Sequence, residues 1–241
     1  MKDNIKIFIC THKDFEPPVK DKAYSVVNSN DIRDLTVLPL DDGFYSELYH
    51  IKYVVDNIKL PKYIGFCHYR RYFSFLDRIP DMDEEFKISD CLVAKPIESE
   101  HTVMKMYELF HNKEDLEIIG DIIKRYYKNY CEAYQNFTNG NIMVPCNMFI
   151  MKRKDFKEYC NFVFGVLDKY LKIVGTDIDK RIEDNKEKYL KNIAIQGFEQ
   201  NMTPEYQRRI GGFLGERLTN IFLMKKFKKM KIIDFIVTEK K

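Results

Sequence analysis

The chain has 241 residues, of which 45% are hydrophobic and 32% are charged, a composition typical of one large globular domain with a sizeable core. Its formal net charge of +3 is too small to indicate nucleic-acid binding by bulk electrostatics. The six cysteines form no C-x-x-C pair and no apolar run is long enough to span a membrane, which argues against a zinc site and a transmembrane helix. The first six residues also lack the apolar run of a signal peptide, so we expect a cytoplasmic protein.

In chain order, the apolar pattern predicts strands that alternate with helices. The strands expected are 5–10, 62–67, 88–95 and 143–151. The helices expected are 44–58 after an Asp41-Asp42-Gly43 turn, 116–134, 156–174 and a long last helix from Pro204. This alternation predicts an α/β fold with a twisted, mostly parallel sheet flanked by helices, and a helical C-terminal part. We place one domain over residues 1–223 and a basic C-terminal tail over 224–241.

The most distinctive segment runs from Tyr63 to Phe73, with the sequence YIGFCHYRRYF. It begins as a buried strand and then places His68, Arg70 and Arg71 within four positions. At the end of a parallel strand, these side chains lie at the edge of the sheet where α/β proteins bind ligands. Arginine suits phosphate and pyrophosphate because its guanidinium donates two parallel hydrogen bonds. The alternative is a solvated basic turn flanked by core aromatics.

Two carboxylates lie beside apolar helix faces. Glu47 lies beside the apolar helix face that contains Phe44 and Ile51. It is either a boundary residue paired with a cation or a base that accepts a proton or hydrogen bond from a sugar hydroxyl group. Glu216 shares one sector of the last helix with Arg209. That sector is either a tight packing face with an Arg–Glu ion pair or a surface that faces a ligand.

Two D-x-D triplets, at 81–83 and 177–179, have the pattern that holds a divalent metal on a nucleotide-sugar diphosphate. Neither directly follows an apolar strand. With aspartate this frequent in the chain, roughly one or two such triplets are expected by chance. The strand that ends at His68 is followed by arginines rather than carboxylates. We therefore expect no metal cofactor.

The segment from Met224 to Lys231 interleaves lysines with apolar residues. Such a segment either lies on an anionic membrane surface or forms the solvated end of the final helix. The first alternative predicts peripheral contact with the inner face of the plasma membrane.

Five segments, taken in order, resemble DUF4422, a bacterial family found among capsular and exopolysaccharide glycosyltransferases. They are IKIFICTHK from Ile5, YSEL from Tyr45, YIGFCHYRRYF from Tyr63, CNMFIM from Cys146 and YQRRIGGFLGERL from Tyr206. The HYRRYF and GFLxERL pieces are the specific ones. The resemblance implies a GT-A-like glycosyltransferase, in which a nucleotide sugar lies over a twisted sheet and the acceptor lies on the adjoining side.

The resemblance also implies roles for residues within these segments. The residues implied on the donor side are Thr11, His12, Lys13, His68, Arg70, Arg71 and Asn147. The two arginines would stabilise the leaving diphosphate without a metal, and His68 stands where a GT-A enzyme presents its D-x-D. The candidate base is Glu216 or Glu47. The acceptor side is implied to include Arg209 and Tyr69.

The expected reaction transfers a sugar from a UDP-sugar to a saccharide or lipid-linked acceptor in surface polysaccharide biosynthesis, with galactose, as pyranose or furanose, the first sugar to test. Two other classes remain open. A nucleotide- or nucleic-acid-binding module would use the HYRRYF segment to stack bases and bind phosphates, although the acidic run 81–85 argues against nucleic acid. A non-catalytic polysaccharide-assembly protein would keep the same fold.

Overall fold

The computed structural model describes residues 4–190 and 203–238. Its strands are β1 (Ile5–Thr11), β2 (Tyr24–Asn28), β3 (Tyr63–His68), β4 (Arg71–Phe73), β5 (Cys91–Ala94), β6 (Ile97–Glu98), β7 (Ile142–Met143), β8 (Phe149–Lys152), β9 (Met230–Ile233) and β10 (Phe235–Val237). Strands β6 and β7 form a separate antiparallel pair, and the other eight form one sheet. Three stretches lie outside the described residues: 1–3 at the start of the predicted domain, 191–202 within it, and 239–241 at the end of the predicted tail.

The main sheet is mixed, with most of its strands parallel. β1 lies between β2 and β3 and is parallel to both. β8 runs antiparallel to β3 on one side and to β5 on the other, and β5 is parallel to β9. The chain turns from β3 into β4, which is antiparallel to both β3 and β10. Six strands thus run in one direction against β4 and β8, which confirms the predicted mostly parallel sheet.

The two strands that lead to the predicted site are buried along almost their whole length. All six residues of β3 are buried, and in β1 only Lys6 is partly exposed. Strands covered on both faces are apolar throughout rather than alternating, and this is why the sequence pattern predicted them. The strand expected at 143–151 is divided, with Met143 at the end of β7, a turn at residues 146–147 and β8 from Phe149.

Helices form most of the described second half of the chain. They are α1 (Ser29–Ile32), α2 (Asp42–Tyr45), α3 (Glu47–Asn57), α4 (Met82–Ile88), α5 (Val103–Phe110), α6 (Lys113–Tyr126), α7 (Cys131–Asn139), α8 (Arg153–Val174), α9 (Ile178–Asp184), α10 (Lys186–Tyr189), α11 (Pro204–Gln207) and α12 (Ile210–Lys226). Short 3-10 turns occupy Arg33–Leu35 and Lys128–Tyr130. The helical C-terminal part that the sequence predicts is therefore present.

Two of the predicted helices are interrupted. The helix expected over 44–58 is divided into α2 and α3 at Ser46, whose φ of 50° lies in the left-handed region and breaks a right-handed helix. The helix expected over 116–134 ends at Tyr126, and a 3-10 turn separates it from α7. The apolar periodicity continues through both breaks, so the pattern alone does not reveal them.

The basic tail expected after residue 223 is, in its described part, integral to the sheet. Helix α12 continues to Lys226, then β9 pairs with β5 and β10 pairs with β4. Residues 224–226 form the last turn of α12, in agreement with the helix-end alternative, and Met230 and Lys231 begin β9 at an edge of the sheet. Lys226 pairs with Glu158, and Lys231 pairs with Glu85. Among the described helices, none has the length and apolar character needed to cross a membrane.

Glycines let α12 approach α2 and α3 closely. A Cβ on Gly211 would collide with the Phe44 ring, and one on Gly215 would collide with Leu48. The tight-packing alternative therefore accounts for glycines that are otherwise unfavourable inside a helix. This contact fixes α12 beside α3 at one edge of the sheet.

Candidate functional site

Most of the polar side chains predicted from the sequence gather at the carboxyl edge of the sheet. β1 and β3 end side by side, with Cys10 paired to His68, so the residues that follow the two strands meet there. A cleft of about 400 Å³ opens at this edge. The predicted site residues that line it are Thr11, His12, Glu47, His68, Tyr69, Arg70 and Arg209.

His68 is held in the cleft as a neutral hydrogen-bond donor. The backbone N–H of Arg70 donates to His68 Nδ1 at 3.2 Å, so the ring proton lies on Nε2. Nε2 faces Glu47, whose Oε1 lies 3.6 Å away. Burial, followed by repulsion from Arg71, Arg70 and Arg209, lowers the pKa of His68 to about 3. The imidazole is therefore uncharged near neutral pH.

Two cationic side chains and one histidine ring lie against the ring of Tyr69. Arg70 Cζ lies 5.0 Å and Lys13 Nζ 5.2 Å from its centroid, and the His12 ring meets it edge-on at 5.2 Å. These contacts hold the cations near the cleft without neutralising them. Arg70 Nε is buried and has no hydrogen-bond partner within the described chain. A guanidinium with a free donor at the wall of a cleft suits an oxyanion.

Arg209 reaches the cleft from α12. Its Nε donates to Ser46 Oγ at 3.0 Å. Its guanidinium carbon lies 5.6 Å from the ring centroid of Tyr206 and 5.7 Å from that of Phe213. The left-handed residue between α2 and α3 is thus fastened to α12 at the point where Glu47 begins its helix.

Carboxylates line the same cleft as the cations. They are Asp41 and Asp42, at the start of α2, and Glu47, at the start of α3. The Glu47 side chain is 16% exposed, which leaves it accessible to a bound molecule. The cleft therefore offers both fixed positive charge and a carboxylate that faces the same space.

Four predicted site residues do not line the cleft: Lys13, Arg71, Asn147 and Glu216. Arg71 begins β4, and its charge acts on His68 and on Glu216. Burial raises the pKa of Glu216, against the opposing effect of Arg217. The predicted ion pair of Glu216 with Arg209 is replaced by one with Arg217, whose Nη1 lies 3.2 Å from Glu216 Oε2.

The two D-x-D triplets have structural roles away from the cleft. Asp81 caps α4, and Asp83 accepts a hydrogen bond from the Tyr63 hydroxyl at 2.8 Å, at the opposite edge of the sheet. Asp177 caps α9. Within residues 4–190 and 203–238, no three His, Cys, Asp or Glu side chains come together as a metal site.

A family model described as a domain of unknown function (DUF4422) matches residues 6–190, which is most of the chain. The protein belongs to the DUF4422 family. The match includes β1 from Lys6, the Tyr63–Phe73 segment and β8, and it confirms the family resemblance drawn from the sequence; the segment from Tyr206 lies beyond the matched residues. A search of curated proteins finds no match.

The fold of this DUF4422 protein is glycosyltransferase-like. It is similar to the apo structure of WbbM, a bifunctional glycosyltransferase, with a TM-score of 0.71 and 20% sequence identity. The likeness covers 98% of this chain and 46% of WbbM, so this chain spans about half the length of that protein. At this level of identity the likeness is one of fold.

Several residues that shape the DUF4422 cleft are missed by the sequence pattern. His50 is buried, and its Nε2 lies 2.8 Å from the Thr11 carbonyl oxygen. Asp41 and Asp42, expected only to start a helix, line the cleft together with Ser46. The available signal was their position next to the YSEL segment, which carries part of the family resemblance.

Proposed function

We propose that this protein transfers a sugar from a UDP-sugar to a hydroxyl group of a saccharide or lipid-linked acceptor in surface polysaccharide biosynthesis. The observation that carries the proposal is the carboxyl-edge cleft, where Arg70 and Arg209 lie with Glu47 around one space. Sugar transfer needs both kinds of group, because the leaving diphosphate is anionic and the acceptor hydroxyl loses a proton. The glycosyltransferase-like fold supports the same reaction.

On the donor side, we assign the leaving diphosphate to Arg70 and Arg71. Negative charge develops on the diphosphate oxygen as its bond to the anomeric carbon breaks. Donors that are already in place stabilise this charge without reorganisation, and Arg70 Nε has no partner within the described residues. Thr11 and His12, at the end of β1, are assigned to the nucleotide. Since the arginines supply positive charge, the proposed reaction needs no divalent metal.

On the acceptor side, we assign Arg209 and Tyr69, which line the cleft beside Glu47. Aromatic rings and guanidinium groups bind saccharides through stacking on the ring faces and hydrogen bonds to the hydroxyls. Asn147, whose buried Nδ2 has no hydrogen-bond partner among the described residues, is assigned to a hydroxyl of the transferred sugar.

The test is the release of UDP from a panel that contains UDP-galactopyranose, UDP-galactofuranose, UDP-glucose and UDP-N-acetylglucosamine. We expect slow release from at least one of them without an added acceptor, because water replaces the acceptor hydroxyl. Transfer to a saccharide acceptor should then raise the rate. Absence of release from the whole panel contradicts the proposal, and tight binding of single-stranded oligonucleotides in its place would favour a binding module.

Peripheral contact with an anionic membrane remains a prediction. Lys228 and Lys229 are exposed next to the exposed Met230. They precede β9, whose first residue pairs with Cys91 at the start of β5, so this surface lies at the amino edge of the sheet, opposite the cleft. Because each lysine near such a surface contributes about 1 kcal/mol, reversing both to glutamate should weaken binding to phosphatidylserine vesicles more than tenfold. Unchanged vesicle sedimentation would exclude this surface, with reversal of the exposed Lys124 as the control.

A further inference from the structure

The two candidate carboxylates, Glu47 and Glu216, differ in what their oxygens already bind. Glu216 Oε1 accepts the backbone N–H of Cys146 at 2.5 Å, and Oε2 lies 3.2 Å from Arg217 Nη1. Both oxygens of Glu216 are thus engaged inside the protein. A carboxylate in this state is poorly placed to accept a proton from a substrate.

Glu216 belongs to a contact that fastens the turn before β8 to α12. One helical turn further along α12, Asn220 Oδ1 accepts the Val144 N–H at 2.8 Å, and its Nδ2 donates to the Val144 carbonyl at 3.0 Å. We call residues 144–147 the anchored turn. Two side chains of one helix face thereby hold the backbone of this turn at two points.

The anchored turn needs such support because of its backbone conformation. Cys146 and Asn147 have φ values of 57° and 53°, in the left-handed region that residues with a Cβ rarely adopt. Two such residues in succession persist where the surrounding structure holds them. The Cys146 N–H bound by Glu216 is within this pair, so the carboxylate supports the least favourable part of the turn.

The position of the turn explains why its support matters for the cleft. β3 and β8 are antiparallel with Phe66 paired to Phe149, so the anchored turn, which precedes β8, lies at the edge of the sheet where β3 ends in His68. The Thr219 hydroxyl, also on α12, donates to Asn147 Oδ1 at 2.7 Å. A shift of the turn would therefore move the sheet edge next to His68.

Glu47 is in the opposite situation. It lines the cleft, and its Oε1 lies 3.6 Å from His68 Nε2, which is too long for a hydrogen bond. As the first residue of α3, it also lies where the helix dipole favours a negative charge. A carboxylate that faces the cleft with no hydrogen-bond partner among the described residues is suited to accept a proton.

We propose that Glu47 is the general base of the reaction and that Glu216 is a positioning residue, which acts by holding the anchored turn; this rests on the sugar transfer proposed above. The acceptor O–H bond breaks and its proton passes to a Glu47 oxygen. The hydroxyl oxygen forms the new bond to the anomeric carbon, and the bond from that carbon to the diphosphate breaks with the electron pair leaving on UDP. A single displacement of this kind inverts the anomeric configuration.

The experiment measures UDP release from UDP-galactose, or whichever UDP-sugar of the panel is turned over, by four variants. Glu47→Gln should lower kcat by about 100-fold or more and leave the donor KM within about twofold. Glu216→Ala should lower turnover roughly tenfold and melt earlier, because the Cys146 N–H loses its acceptor. Glu216→Gln retains an acceptor oxygen and should restore turnover to within about threefold of wild type. Asp56→Asn, at the far end of α3, is the matched control.

The pH profile separates the two roles, since only a base imposes its own titration on kcat/KM. We expect the acidic limb of the profile to be lost in Glu47→Gln and kept in Glu216→Gln. Equal loss of activity in Glu216→Gln and Glu216→Ala, near-normal turnover of Glu47→Gln, or retention of the anomeric configuration by NMR would each overturn the assignment. If Glu216→Ala does not fold, the glutamine variants decide alone. Wild-type protein that turns over no UDP-sugar would instead overturn the proposed function, and the assignment with it.

Discussion

Two charged regions of this protein differ in whether their hydrogen-bonding capacity is satisfied within the fold. The first region, which we call the closed cluster, consists of Asp115, Tyr170, Arg181 and Tyr189. Asp115 is completely buried and accepts hydrogen bonds from the Tyr170 hydroxyl at 2.6 Å, Arg181 Nη2 at 2.6 Å and the Tyr189 hydroxyl at 2.7 Å. In the open cleft, Arg70 Nε has no partner among the residues described. The Glu47 carboxylate there also lies beyond hydrogen-bond distance of His68.

The difference separates a structural role from a functional one. A buried ion pair must be fully hydrogen-bonded to offset the loss of hydration, and the closed cluster meets this condition while it joins α6, α8, α9 and α10. Charged groups left unpaired in a cleft contribute little to folding and are available to a ligand. Substitutions should therefore affect stability in the closed cluster and activity in the open cleft.

The largest effect is expected from breaking the closed cluster. Asp115→Ala leaves Arg181 without its buried partner and should lower the free energy of unfolding by about 3–5 kcal/mol. Asp121→Ala, on the exposed face of the same helix, should change it by less than about 0.5 kcal/mol. Urea denaturation followed by circular dichroism measures both. Equal stability of the two variants would show that the closed cluster is not a stabilising unit.

In the open cleft, the effect should fall on turnover instead. Arg70→Ala or Arg71→Ala removes a charge donor from the leaving diphosphate, so the rate of UDP release should fall by about two orders of magnitude, or about 3 kcal/mol of transition-state stabilisation. The melting temperature should stay close to that of wild type. Arg125→Ala, at the exposed end of α6, is the control. Near-normal turnover in both variants would refute the assignment of the diphosphate to Arg70, which lines the cleft, and to Arg71, which follows it at the start of β4.

A smaller effect is expected on the pH dependence of the free energy of unfolding. The pKa of His68 is lowered to about 3 from its ordinary 6.5, so between these values the unfolded chain binds a proton that the folded protein does not. Stability from this group is complete above about pH 6.5 and declines as the pH falls, by about 2 kcal/mol between pH 7 and pH 5. His68→Asn should lose that part of the decline, whereas His101→Asn, on the surface, should keep it. Parallel pH profiles for His68→Asn and wild type would contradict the lowered pKa.

Much of the fold follows from local sequence pattern. β1, β3 and β5 are predicted because a strand buried on both faces needs an unbroken apolar run. The edge strands β2, β9 and β10 and the three-residue β4 are missed because short strands owe their structure to pairing with neighbours, which one sequence does not reveal. The break at Ser46 is missed for a related reason, since its left-handed conformation is supported by Arg209 from a distant helix.

The sequence predicts which residues form the site better than it predicts which of them contact one another. The end of β3 fixes His68 and Arg70 at the carboxyl edge, because strand direction alone determines that position. The partners of Glu216 depend on how the anchored turn docks onto α12, a contact across 70 residues of sequence. Helical spacing suggested Arg209 as its partner, whereas the adjacent Arg217 and a backbone N–H occupy its oxygens.

The most direct test of the account is the initial rate of UDP release in excess EDTA, followed by addition of Mn²⁺. The central claim is that arginines supply the positive charge that stabilises the leaving diphosphate, so the rate in EDTA should equal the rate without it and Mn²⁺ should add nothing. Complete loss of activity in EDTA with recovery on adding Mn²⁺ would contradict the claim. Asp41 and Asp42, which line the cleft, would then be the oxygen ligands to examine.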